Sequence, residues 1–116
     1  MITNISLNRL RDVLYDEINY IAVGDSGAII ENPVQLGNEI FRTPITNKSK
    51  TGIGVTEAIT SILDVDGSMV IREIGIFANG TSEPNSGMLI SRMLWKRDKT
   101  NSETIQINRI DTIRRG

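Results

Sequence analysis

One stretch, Val70-Ile-Arg-Glu-Ile-Gly-Ile-Phe-Ala78, constrains the fold of this chain more than any other. It is rich in β-branched and aromatic residues and is bounded by Asp66-Gly67-Ser68 and Asn79-Gly80-Thr81, so it reads as a strand between two turns. Alternation places Val70, Arg72, Ile74, Ile76 and Ala78 on one face and Ile71, Glu73, Gly75 and Phe77 on the other. Both faces are mostly apolar, which predicts a strand covered on both sides. Each face also carries one charge, and a charge in a dry site needs a partner because leaving it alone costs several kcal/mol.

The sequence around this strand predicts hairpins. Residues 53–63 alternate, with Ile53, Val55, Glu57 and Ile59 against Gly54, Thr56, Ala58 and Thr60, and Asp66-Gly67 follows, so they are expected to pair antiparallel with residues 70–78. After the polar tip 79–86, Gly87-Met-Leu-Ile-Ser-Arg-Met-Leu-Trp95 reads as the returning strand of a second hairpin. Residues 96–102 read as a solvated turn. In the last segment Ile105 and Ile107 alternate while Ile110 and Ile113 fall out of phase, which predicts a bulge or a change of neighbours. Near the start, Leu7, Leu10, Leu14 and Ile18 recur at helical spacing opposite Asn8, Arg9, Arg11, Asp12 and Asp16, with Asn4 or Ser6 as the cap. That stripe packs on its own domain or forms a candidate subunit interface. A strand over 19–23 ends in the turn 24–27, residues 28–33 read as a loop, and Thr46-Asn-Lys-Ser-Lys-Thr-Gly52 reads as a basic polar loop. The 116 residues suffice for one core, so residues 1–116 are expected to form a single domain, a helix over 1–17 followed by a β domain over 18–113.

Composition excludes several functions. Thirteen basic and 14 acidic residues give a net charge of −1, so no general field attracts nucleic acid or an anionic membrane. Histidine and cysteine are both absent, which removes the commonest general base, thiolate nucleophiles and the usual transition-metal ligands. Gly24-Asp-Ser-Gly27 occurs around serine nucleophiles, but no histidine is present to take the proton, so it reads as a turn. Asp64-Val-Asp-Gly-Ser68 lacks the glycine position and closing glutamate of a calcium loop. A carboxylate-only glycosidase needs a convergent acidic pair, and Asp and Glu here fall mostly at turns and helix faces. No catalytic residue, cofactor or metal is therefore expected. The first residues lack the basic segment and apolar run of a signal peptide, and no run approaches the ~18 apolar residues of a membrane span.

Four blocks in order, Ile18-Asn-Tyr-Ile-Ala-Val-Gly-Asp25, Leu36-Gly-Asn-Glu-Ile-Phe-Arg42, Ile71-Arg-Glu-Ile-Gly-Ile-Phe77 and Gly87-Met-Leu-Ile-Ser-Arg92, resemble a family of small bacteriophage tail proteins. These proteins occur alone or as the N-terminal part of tail fibres and tail-collar fibre proteins. The resemblance runs over residues 18–94 and implies a non-enzymatic structural component of the virion, in the baseplate, collar or fibre attachment. It would be made in the host bacterial cytoplasm. The implied partners are further copies of the chain and other tail or fibre proteins. The charges within these blocks are expected to pair as Glu39 with Arg72 and Arg42 with Glu73.

The fold expected from these readings is mainly β, an antiparallel β-sandwich or small barrel with an N-terminal amphipathic helix. The alternative function is a carbohydrate- or receptor-binding module at a tail tip. Such modules commonly stack sugars on exposed rings, and the aromatic residues here are Trp95, Tyr15, Tyr20, Phe41 and Phe77.

Overall fold

A computed structural model describes residues 2–114. Among these residues seven strands form two antiparallel sheets behind one α-helix, α1 (Asn4–Glu17). The first sheet has the order β2 (Glu39–Pro44), β1 (Ile18–Gly24), β5 (Met69–Ala78), β6 (Met88–Lys99); the second has β3 (Asn47–Gly52), β4 (Val55–Ile62), β7 (Ile105–Thr112). Neither sheet closes on itself, so the architecture is sandwich-like rather than a barrel.

The apolar core lies between the sheets. Ile21, Val23, Ile74 and Ile76 from the first meet Ala58, Ile62, Ile105 and Ile107 from the second, and all are nearly inaccessible to water. The inward face of β4 is its smaller one, Thr56, Ala58, Thr60 and Ile62. Thr60 lies inward at no cost because its hydroxyl donates to the Pro44 carbonyl at 2.7 Å.

β5 is the spine. Residues 73–78 are all buried, as expected of a strand covered on both sides, while Val70 remains 53% exposed. Ile71 joins the cluster of Ile74 and Ile76 although strict alternation sets it opposite them. Pairing with β6 is irregular there: Ile71 faces Arg97 and Glu73 faces Leu94, so β6 carries an extra residue.

The first predicted hairpin does not form. β4 pairs with β3 and β7, and β5 pairs with β1 and β6. Residues 64–66 make a 3-10 turn, closed by the Asp66 carboxylate on the Leu63 N–H at 2.7 Å, and Gly67 at φ 93° redirects the chain into the other sheet. The second hairpin, β5 with β6, forms as expected. Two predicted loops are strand: residues 47–52 are β3, and residues 96–99 prolong β6. The predicted bulge in β7 is also absent. Its register with β4 runs unbroken from Val55 opposite Thr112 to Ile62 opposite Ile105. The phase is kept because Arg109, not Ile110, takes the inward position; Ile110 is 61% exposed.

Thr3, rather than Asn4 or Ser6, caps α1, its side chain accepting the Ser6 N–H at 3.1 Å. The far end of the helix has no basic residue in its last turn. Lys48 of β3 serves instead, with Nζ 2.6 Å from the Tyr15 carbonyl and 3.2 Å from that of Ile18, where a cation suits the negative end of the helix dipole. The same ammonium lies 4.8 Å from the Tyr15 ring centre.

Candidate functional site

The outer face of the first sheet, away from the core, is covered by two loops, residues 25–38 between β1 and β2 and residues 79–87 between β5 and β6. Each loop is fastened by one buried ion pair.

Glu73 holds the first. Its side chain is inaccessible, and its two oxygens accept the Gly37 N–H at 2.7 Å, the Asn38 N–H at 2.8 Å, the Ser26 N–H at 3.3 Å and Arg92 Nε at 2.7 Å. Arg92, with a side chain 5% exposed, also donates to the Ser26 and Ala28 carbonyls. Both ends of the loop are thus tied to β5 and β6. Burial pushes the Glu73 carboxyl up, but the donors from Asn38, Arg92, Gly37 and Ser26 outweigh it and hold the group below its ordinary value. Two glycines make room. A Cβ on Gly24 would collide with Glu73 Oε2 and the Asn38 carbonyl, and one on Gly75 would lie 2.8 Å from both Leu36 and Leu89. Leu36 therefore presses directly on the strand backbone, beside Ala22 and Phe77.

Arg42 holds the second loop. It forms a bidentate pair with Glu39, both contacts at 2.8 Å, and the two side chains are 4% and 2% exposed. Its remaining nitrogen donates to the Thr81 and Ser86 carbonyls and the Ser86 hydroxyl. The guanidinium carbon lies 4.6 Å from the Phe77 ring centre and 5.5 Å from that of Tyr20. Glu39 and Arg42 share a face despite being three apart on a strand, because the register slips at Ile40: Val23 faces Phe41 but Gly24 faces Glu39.

The four charges expected to pair are all paired, with other partners. Glu39 binds Arg42 rather than Arg72, and Glu73 binds Arg92 rather than Arg42. Arg72, partly buried, donates to the Ile71 carbonyl and meets Asp98 at 2.7 Å, with side chains 28% and 66% exposed. The cation for Glu73 stood in the block ending Ser91-Arg92, on the strand expected to return beside β5; Arg92 lies opposite Gly75 and reaches Glu73 diagonally, a register that the hairpin reading alone did not fix.

Sequence reasoning also missed Arg109, whose guanidinium is buried between the sheets on Ser91 and Asp111. A further buried cation, Lys99, is capped by the Gly67 and Thr100 carbonyls. The stripe on α1 divides. Leu7 and Ile18 are buried and Leu14 packs on the core, so these three are engaged within their own domain; Leu10 is 48% exposed, beside Val13 at 52%. Ser26 sits in the turn that Glu73 fastens, its hydroxyl accepting the Ala28 N–H. Of the terminal Arg114-Arg115-Gly116, read as a solvated end or an acidic-patch contact, Arg114 is exposed, and Arg115 and Gly116 lie outside the described residues.

Among the described residues no group of three or more acidic, histidine or cysteine side chains is placed to hold a metal ion. No described helix is long and apolar enough to cross a membrane. The sequence matches no family model and no curated protein.

Proposed function

We propose that this protein is a non-enzymatic structural component of a bacteriophage tail, acting in the baseplate, collar or fibre attachment by symmetric assembly of identical copies. The observation that carries this reading is the convergence of all four blocks behind the family resemblance on one place, the outer face of β5. Gly24 and Asp25, Leu36 to Glu39 with Arg42, Glu73, Gly75 and Phe77, and Arg92 contact one another there. What they do is architectural: they fasten two loops onto a sheet. A carboxylate surrounded by four donors and held below its ordinary pKa is poorly suited to exchanging protons near neutrality. The blocks thus have a role as a scaffold for presenting loops, which is what an assembling tail part needs.

Labelling with an antibody against the chain, on particles purified from a lysate of the source phage or prophage, tests this. Gold at one fixed level of the tail is the expected result. Complete, label-free tails produced after deletion of the gene would reject it.

One feature favours the second reading, a carbohydrate- or receptor-binding module. A cleft of about 260 Å³ opens between β6 and β7, lined by Met93 and Trp95 of β6, Gln106 to Arg109 of β7 and Ile74. An indole beside two amides suits a sugar ring. Trp95 is the single tryptophan, so its fluorescence reports the cleft directly. A saturable change on titration with cell-wall saccharides would support the module; a flat response across hexoses, hexosamines and deoxyhexoses would remove it.

A further inference from the structure

The loop over residues 25–38 is firmly anchored at its base and apolar at its tip. Ile29 is 89% exposed and Val34 83%, with Glu31 between them also exposed, while Ser26, Ala28, Gly37 and Asn38 are held by Glu73 and Arg92. A loop already ordered by its own domain loses less freedom on docking. Its exposed tip is therefore a ready contact element.

A second surface matches it. A groove of about 460 Å³ runs along the N-terminal half of α1, lined by Ile2, Thr3, Ser6, Arg9 and Leu10. Among the described residues its lining sets two aliphatic side chains, Ile2 and Leu10, and the hydroxyls of Thr3 and Ser6 beside one cation, Arg9, the converse of two aliphatic side chains around one carboxylate. The groove belongs to the helix, which packs on β3 and β4 of the second sheet, whereas the loop lies on the outer face of the first.

We infer that the loop tip over residues 29–34 of one copy docks in the α1 groove of the next, with Ile29 and Val34 against Leu10 and Glu31 against Arg9. The occupant is a second copy because the two surfaces complement each other in charge and apolar character and lie on different layers of the sandwich. Two different patches meeting head to tail make a heterologous contact, which closes into a ring when the rotation per copy divides a full turn. A loop tip in a groove is a small contact. It holds by repetition around the ring more than by the strength of one junction. The inference rests on the assembly reading above and specifies its interface.

The absence of cysteine makes cross-linking a clean test. Leu10→Cys and Val34→Cys proteins, purified separately and then mixed, should give a disulfide-linked dimer under copper–phenanthroline oxidation, and each alone should give far less. The double variant should give a ladder. Glu31→Arg or Arg9→Glu added to the double variant should abolish the ladder, and the two reversals together should restore it. Circular dichroism and thermal melts on each variant confirm that all are folded. Equal cross-linking by either single variant alone would mean a symmetric contact and would overturn the inference, as would no ladder or no rescue. The assay needs no virion, so the two readings fail separately. A chain located on tails without a ladder rejects this interface alone, and a ladder from a chain absent from tails rejects the tail assignment.

Discussion

Arg72 and Glu73 are neighbours in sequence, and each lies 2.7 Å from its ion-pair partner, yet the two pairs differ in what they contribute. Asp98 is open to water and Arg72 partly so, and there screening and side-chain entropy leave a pair with ~0–1 kcal/mol. Glu73 and Arg92 are not, and removing one strands the other in a dry site. Arg92→Ala should therefore destabilise the fold by ~3–5 kcal/mol in denaturant unfolding, against less than ~1 kcal/mol for Arg72→Ala. Similar losses from the two would refute this burial argument. The Glu73 carboxyl is held below its ordinary value, 4.5, so its contribution is complete above that value and is lost as pH falls through the lower folded-state value. Glu73→Gln should accordingly lose stability less steeply than the parent below pH ~4.5, and parallel acid limbs would contradict the assignment. Thr56 supplies a contrasting case. Its buried hydroxyl has no hydrogen-bond partner among the described residues, and Asp111 lies opposite it on β7. Thr56→Val keeps the β-branched shape and removes an uncompensated polar atom, so melting temperatures should be equal or higher.

At the scale of elements, β5, the β5–β6 hairpin and α1 were legible because each carries its own periodicity and turn residues. The partner of β4 was not. Asp66-Gly67 marks a reversal of direction, but nothing in a local rule says whether the returning strand joins the same sheet or the opposite one. The inward face of β4 was not legible either, because the buried side carries Thr56 and Thr60 while the larger Val55 and Ile59 lie on the other. β3 was invisible as a strand because its residues, Asn47-Lys-Ser-Lys-Thr-Gly52, are chosen for polar ties to the helix. Lys48 holds its last carbonyls, Arg11 reaches the Gly52 carbonyl at 3.0 Å, and Lys50 meets Asp12 at 3.2 Å. The outer-face site was half legible. Glu39, Arg42 and Glu73 were found and Arg92 was not, so the charges were assigned the wrong partners, and the slip at Ile40 is a tertiary feature. Lys48→Met should loosen the C-terminal turn of α1 by ~1 kcal/mol and speed amide exchange there, leaving β5 amides unchanged. Uniform acceleration across the chain would instead mean that α1 and the sandwich open as one unit.

The whole molecule spans 46 × 29 × 23 Å, with a helix groove on one layer and two fastened loops on the other. Three exposed aliphatic residues, Ile29, Ile30 and Val34, stand on the loop that Glu73 and Arg92 fasten. Such an arrangement suits a part that repeats about an axis, each copy covering the next. Cryo-electron microscopy of the intact particle tests that assembly claim most directly. The expected map contains this fold at a fixed level of the tail, repeated by the axial symmetry, with residues 25–38 of each copy buried against a neighbour. A map with no density for the chain, or with isolated copies whose loop and helix groove both face solvent, would contradict it.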